Sequence, residues 1–150
     1  MMRKIGNRLY GCDTCQVVCP KNKGKNWTHQ PELQPDAEKV KPLLIPLLTL
    51  SNKEYKEQYG RSASSWRGKK PIQRNAIIAL GNFKDRTAVP ILSELLREDS
   101  RPVIRATAAW ALGRIGGAEA RHAIEQAAGS EAEPIVLEEL TKASESMTNM

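Results

Sequence analysis

The stretch IIALGNF, Ile77 to Phe83, returns 32 residues later as AWALGRI, Ala109 to Ile115. Ala79-Leu80-Gly81 overlays Ala111-Leu112-Gly113, Leu92 overlays Ile124, and Pro102-Val103-Ile104 overlays Pro134-Ile135-Val136. A self-match at this period marks stacked units, each too small to bury its own apolar face. The apolar spacing makes those units helical. Ile72, Ala76, Ala79, Leu80 and Phe83 fall on one stripe, and Val103, Ile104, Thr107, Ala108, Ala111, Leu112 and Ile115 on another.

Local signals set the expected boundaries. Gly81 and Gly113 stand near the ends of the stripes, where a helix can close. Asp85 and Ser100 read as N-caps, and Pro90 and Pro102 suit first turns. These place a second helix at about 87–97 and a final one at 134–146. The small residues of ATAAWALG let helices approach closely, with Trp110 in or beside the core. The pattern resembles HEAT-like repeats, a short α-helical stack over residues 66–147. So short a stack is expected to lean on something else.

The other end of the chain has a different chemistry. Cys12, Cys15 and Cys19 precede Pro20 in GCDTCQVVCP. C-x2-C-x3-C-P is the end of the run C-x2-C-x2-C-x3-C-P that presents thiolates to [4Fe–4S] clusters, in which the cysteine before the proline ligates the neighbouring cluster. The first cysteine of that run would fall at Leu9. On this spacing Cys12 and Cys15 serve one cluster and Cys19 another, and the remaining ligands lie outside the chain. Residues 1–25 thus read as the end of a ferredoxin-like two-cluster iron–sulfur segment. The alternatives are a structural zinc site, for which only His29 and His122 could add ligands, and a disulfide. No secretory segment favours the disulfide. The longest apolar stretch, Leu43 to Leu50, is interrupted by Pro46 and Thr49 and too short to cross a bilayer. A cytoplasmic location is expected.

Charge is divided unevenly. Residues 1–70 hold 14 Lys/Arg and 6 Asp/Glu, residues 71–150 hold 9 and 11, and the net charge is +6. A basic front half suits a polyanionic partner, above all nucleic acid. Few aromatic residues argue against an RNA-stacking sheet. Residues 26–65 read as a connecting segment, with a loop through PKNKGKNWTHQPELQPD, a leucine-rich patch at 37–50 and a short helix from Asn52 to Tyr59, capped by Ser51 and ended by Gly60. RSASSWRGKKPIQR follows, and its Arg67, Lys69, Lys70 and Arg74 are candidates for backbone phosphates. Lys21, Lys23 and Lys25 extend the same patch or offset the charge of thiolate-bound clusters. Trp66 reads as a packing residue rather than a base platform. No Gly-rich phosphate loop, Ser/His/Asp set or paired carboxylates appear. No catalytic residue is assigned, and Glu98 and Asp99 read as capping or solubilising charges.

Taken in order, GNRLYGCDTCQVVCPKNKGKNW, SSWRGKKPIQRNAIIALGNFKD and the trailing repeats resemble the C-terminal part of epoxyqueuosine reductases. The resemblance implies an oxidoreductase of queuosine biosynthesis that reduces epoxyqueuosine to queuosine in tRNA. It implies a cobalamin cofactor fed by two [4Fe–4S] clusters. The cobalamin domain and first cluster motif of that family have no counterpart here, and Met1-Met2 is compatible with an internal start, a frameshifted gene or a split gene. The expected partners are tRNA and the missing cobalamin domain or an electron donor, with no membrane or DNA. Alone, the chain is expected to be inactive. Competing readings are a HEAT-like binding module with a structural metal site and a small electron carrier.

Overall fold

The computed structural model describes residues 2–24 and 37–148; Lys25, Trp27 and His29 lie outside them. Among the described residues every regular element is helical. Short α1 (Met2–Ile5) and α2 (Thr14–Val18) come first, then α3 (Ala37–Val40), α4 (Leu44–Thr49) and α5 (Asn52–Tyr59). The stack follows as α6 (Lys69–Phe83), α7 (Val89–Glu98), α8 (Pro102–Ile115), α9 (Ala118–Ala128) and α10 (Pro134–Thr148). Helix α8 is the hub and packs on α6, α7, α9 and α10.

The 32-residue period is written into the packing. Ile72, Ile104 and Val136 are buried at equivalent positions, as are Leu80 and Leu112, and Leu92 and Ile124. Fully burying such a side chain contributes about 1.5–3 kcal/mol. Val103 and Ile135 occupy equivalent positions as well, and both stand 51% exposed. Val103 thus leaves the expected stripe, because 3.6-residue periodicity puts it on the half-open line of Trp110 and Arg114. Phe83, also expected in a stripe, is exposed on the last turn of α6.

Gly81 and Gly113 do not close helices. Both lie inside them, and α6 ends at Lys84 in the left-handed region while α8 ends at Gly116. The two glycines are instead points of closest approach. A Cβ on Gly81 would come 2.9 Å from Ala111 Cα, and one on Gly113 would come 2.8 Å from Ala143 Cα. Ala111 and Ala143 are themselves 32 residues apart, so one contact is used twice.

Helix starts differ in detail from expectation. Asp85 accepts from the Thr87 N–H at 3.0 Å, but it caps a 3-10 turn, Arg86–Ala88, that leads into α7. Ser100 caps nothing; Arg101 holds the N-cap position of α8, and the Asp99 carboxylate accepts its N–H at 2.9 Å. Pro90 and Pro102 occupy first turns as expected. Ser51 caps α5 in a reciprocal box with Glu54.

A polar ladder runs along one edge of the stack. Gln73 donates to the Leu48 carbonyl at 2.9 Å and accepts from Arg101 at 2.8 Å. Arg101 pairs with Asp99 at 2.6 Å. Arg105 donates to the Asp99 carbonyl at 2.8 Å and grips Glu131 through two nitrogens at 2.7 and 2.9 Å. The Arg105 fork holds the Glu131 carboxyl well below its ordinary 4.5, at about 2, helped by the N–H groups of Glu133 and Ala132. Burial raises the Asp99 carboxyl, but the Arg101 hydrogen bonds outweigh it and leave its pKa lowered.

Candidate functional site

The cysteine segment is fastened to the first repeat. Asn75 Nδ2 donates to the Leu9 carbonyl at 2.8 Å, and Asn82 Nδ2 to the Gly6 carbonyl at 2.9 Å. The two asparagines are seven residues apart, two turns along one face of α6. A third tether comes from Tyr10, whose hydroxyl donates to the Ala63 carbonyl at 3.0 Å. None of these three residues was singled out by sequence reasoning. The available signal was two asparagines at heptad spacing on a helix whose central turns are otherwise mostly apolar.

The thiols lie on and around α2. Cys12 and Cys15 are exposed and Cys19 is half-buried; all three are free. The Cys12 Sγ lies 3.2 Å from the Thr14 hydroxyl, which is steadied by Arg8 at 3.2 Å. Hydrogen bonding with the Thr14 side chain and backbone lowers the Cys12 thiol pKa, and so favours the thiolate that binds soft metals. Among the described residues no three Cys, His, Asp or Glu side chains converge as a metal site would require. The donors are therefore chemically suited to iron–sulfur ligation but do not form a closed shell by themselves. His122 is exposed on α9, away from this segment in sequence.

The candidate phosphate-binding residues lie close by. Arg67 ends the 3-10 turn Ser65–Arg67, and Lys69, Lys70 and Arg74 lie in the first turns of α6. Lys69 turns inward and donates to the Leu50 carbonyl. Arg67 and Lys70 are exposed and Arg74 half-buried. The ion pairs among the described residues all involve residues 97–142, and none engages Arg67, Lys70 or Arg74. From Gln58 to Lys84 the sequence has six Lys/Arg and no Asp or Glu. Lys21 and Lys23 are exposed just past the cysteines. Trp66 was expected to pack, yet it is 73% exposed. Trp110 is half-buried against the core, as expected.

No helix among the described residues is long and apolar enough to cross a membrane.

Comparison with known proteins gives a consistent picture. Residues 67–145 match the family model of HEAT repeats. The chain is 58% identical over 139 residues to an epoxyqueuosine reductase of Bacillus cereus, covering 93% of this chain and 37% of the relative. It is 66% identical over 113 residues to that of Bacillus subtilis strain 168, covering 75% of this chain and 29% of the relative. A crystal structure of epoxyqueuosine reductase with an epoxyqueuosine-modified tRNA stem loop superposes with a TM-score of 0.92 at 55% identity, covering 98% of this chain and 39% of that one. The Streptococcus thermophilus enzyme superposes with a TM-score of 0.84 at 36% identity, over 98% of this chain and 39% of that one. The chain thus spans well under half the length of these relatives.

Proposed function

We propose a function for a chain that belongs to the HEAT-repeat family and is homologous along most of its length to epoxyqueuosine reductases. It is the C-terminal part of such an enzyme, supplying cluster thiolates and a tRNA-docking surface to the reduction of epoxyqueuosine to queuosine. The observation that carries this reading is the superposition, over nearly the whole chain, on a relative captured with modified tRNA.

In this division of labour residues 1–25 are the end of a ferredoxin-like segment, 26–65 connect, and 66–147 form the repeat scaffold. Cys12 and Cys15 ligate one [4Fe–4S] cluster and Cys19 a second, with the other ligands supplied from outside the chain. Such clusters, when bound, carry single electrons at potentials tuned by hydrogen bonding and burial. This chain's own residues hold the ligand loop in place: Asn75, Asn82 and Tyr10 fix its backbone, and Thr14 favours the Cys12 thiolate. Arg67, Lys70 and Arg74, with Lys21, Lys23 and Lys25, meet phosphates, while Lys69 braces the start of α6. No residue here is assigned to cobalamin or to the chemical step.

The test is to place Cys12→Ser, Cys15→Ser and Cys19→Ser in a complete enzyme and follow each cluster by electron paramagnetic resonance. Cys12→Ser and Cys15→Ser should each damage one cluster and Cys19→Ser the other. Loss of the same cluster in all three variants would contradict the partition.

A further inference from the structure

Trp66 is open to solvent but not loose. Its indole N–H donates to the Tyr10 hydroxyl at 3.1 Å. Tyr10 is in turn pinned to the Ala63 carbonyl. The Arg67 guanidinium sits over the ring, 4.5 Å from its centroid. A ring fixed at its polar edge and covered by a cation is pre-organised, and loses little freedom on meeting a ligand.

The surroundings restrict what that ligand is. Trp66 lies within the carboxylate-free stretch 58–84, beside cations that make no ion pair among the described residues. An occupant must carry negative charge and present a flat apolar face. Unpaired nucleotides do both, since every base has a π-face and every link a phosphate. A covering polypeptide would have to bring carboxylates to Arg67, Lys70 and Arg74 as well as an apolar patch.

We propose that Trp66, braced by Tyr10 and Arg67, stacks on an unpaired base of the RNA whose phosphates lie along Arg67, Lys70 and Arg74. This rests on the tRNA-docking reading and deepens it by adding a contact that distinguishes looped from paired RNA.

The experiment measures binding of the full chain to an RNA hairpin with an unpaired loop, and to a fully paired duplex with the same number of phosphates, at one salt concentration. Trp66→Ala should weaken hairpin binding by about 5- to 150-fold, the range for one stacked base, and leave duplex binding unchanged. Trp66→Phe should recover part of the loss, and melting of the helical signal should match the parent chain. Equal weakening of both RNAs, or of neither, would overturn the stacking contact. Two further outcomes separate it from the docking reading. If Arg67→Glu with Lys70→Glu weakens both RNAs while Trp66→Ala does nothing, docking stands and stacking falls. If the parent chain binds neither RNA, both fall, and a polypeptide cover for Trp66 is the reading left.

Discussion

Gly113 has no room for a methyl group. A Cβ there would fall 2.6 Å from Ala143 Cβ, and its counterpart on Gly81 would fall 2.8 Å from the Trp110 ring. Two effects compete in Gly113→Ala. Helix propensity favours alanine by about 1 kcal/mol in a helix interior, whereas overpacking opposes it by about 1–3 kcal/mol. The contact involves Ala143 Cα as well as its side chain, so α8 and α10 must part for the methyl to fit. Overpacking should prevail, and Gly113→Ala should lower the unfolding free energy by about 1 kcal/mol, read as a lower denaturant midpoint at unchanged m. Ala143→Gly, which removes one of the two clashing carbons, should rescue part of that loss in the double variant. A Gly113→Ala chain more stable than its parent would refute the close approach.

At the scale of elements, the interface between units is a helix stripe fastened at its edge by charge. The Arg105–Glu131 pair joins the start of α8 to the loop before α10, and its protonation has a definite sign. Glu131 titrates at about 2 in the folded chain and near 4.5 when unfolded. Its contribution is therefore complete above pH ~4.5 and disappears as pH falls toward 2. Melting temperature should drop over that interval in the parent, and less steeply in Glu131→Gln; parallel curves would show that the pair adds nothing. The helices were legible in advance because an offset of 32 aligns buried with buried, as at Leu80 and Leu112. The boundaries were not, since glycine serves equally to end a helix and to admit a neighbour, and only the position of Ala111 and Ala143 decides. Ser100 misled because α8 starts one residue later: Arg101 holds the N-cap position without a side-chain cap, and Asp99 accepts the Arg101 N–H just before the helix. The cysteine spacing was fully visible, but its tether through Asn75 and Asn82 depends on where α6 meets a distant segment. The placement of Trp66 was equally hidden, since its indole N–H is held by Tyr10, 56 residues away.

Over the whole molecule, the stack is directional. Gly113 of α8 meets Ala143 of α10, and Gly113 and the buried Ala109 and Leu112 recur 32 residues on as Glu145, Thr141 and Ser144, all exposed. The apolar interface is thus replaced by a polar outer face, as in the terminal unit of a repeat array. The other end is where α4 and α1 pack on α6, where the cysteine segment is tied to α6, and where Arg67, Lys70 and Arg74 make no ion pair among the described residues. Reversing Arg67, Lys70 and Arg74 to glutamate should weaken tRNA binding and make its dependence on log salt shallower by about 2, if each meets a phosphate at roughly 0.7–0.9 per contact. An unchanged slope would place the RNA elsewhere.

The thiolates at the front of this chain are proposed to complete metal sites whose other ligands lie outside it. The direct measurement is iron content and visible absorbance after anaerobic reconstitution, for this chain alone and for a chimera in which it replaces the matching portion of the Bacillus subtilis relative. Little retained iron is expected in the isolated chain, and two clusters' worth, with a broad band near roughly 400 nm, in the chimera. A full complement of iron held by the isolated chain, or a chimera with colourless metal at these three cysteines, would contradict this proposal.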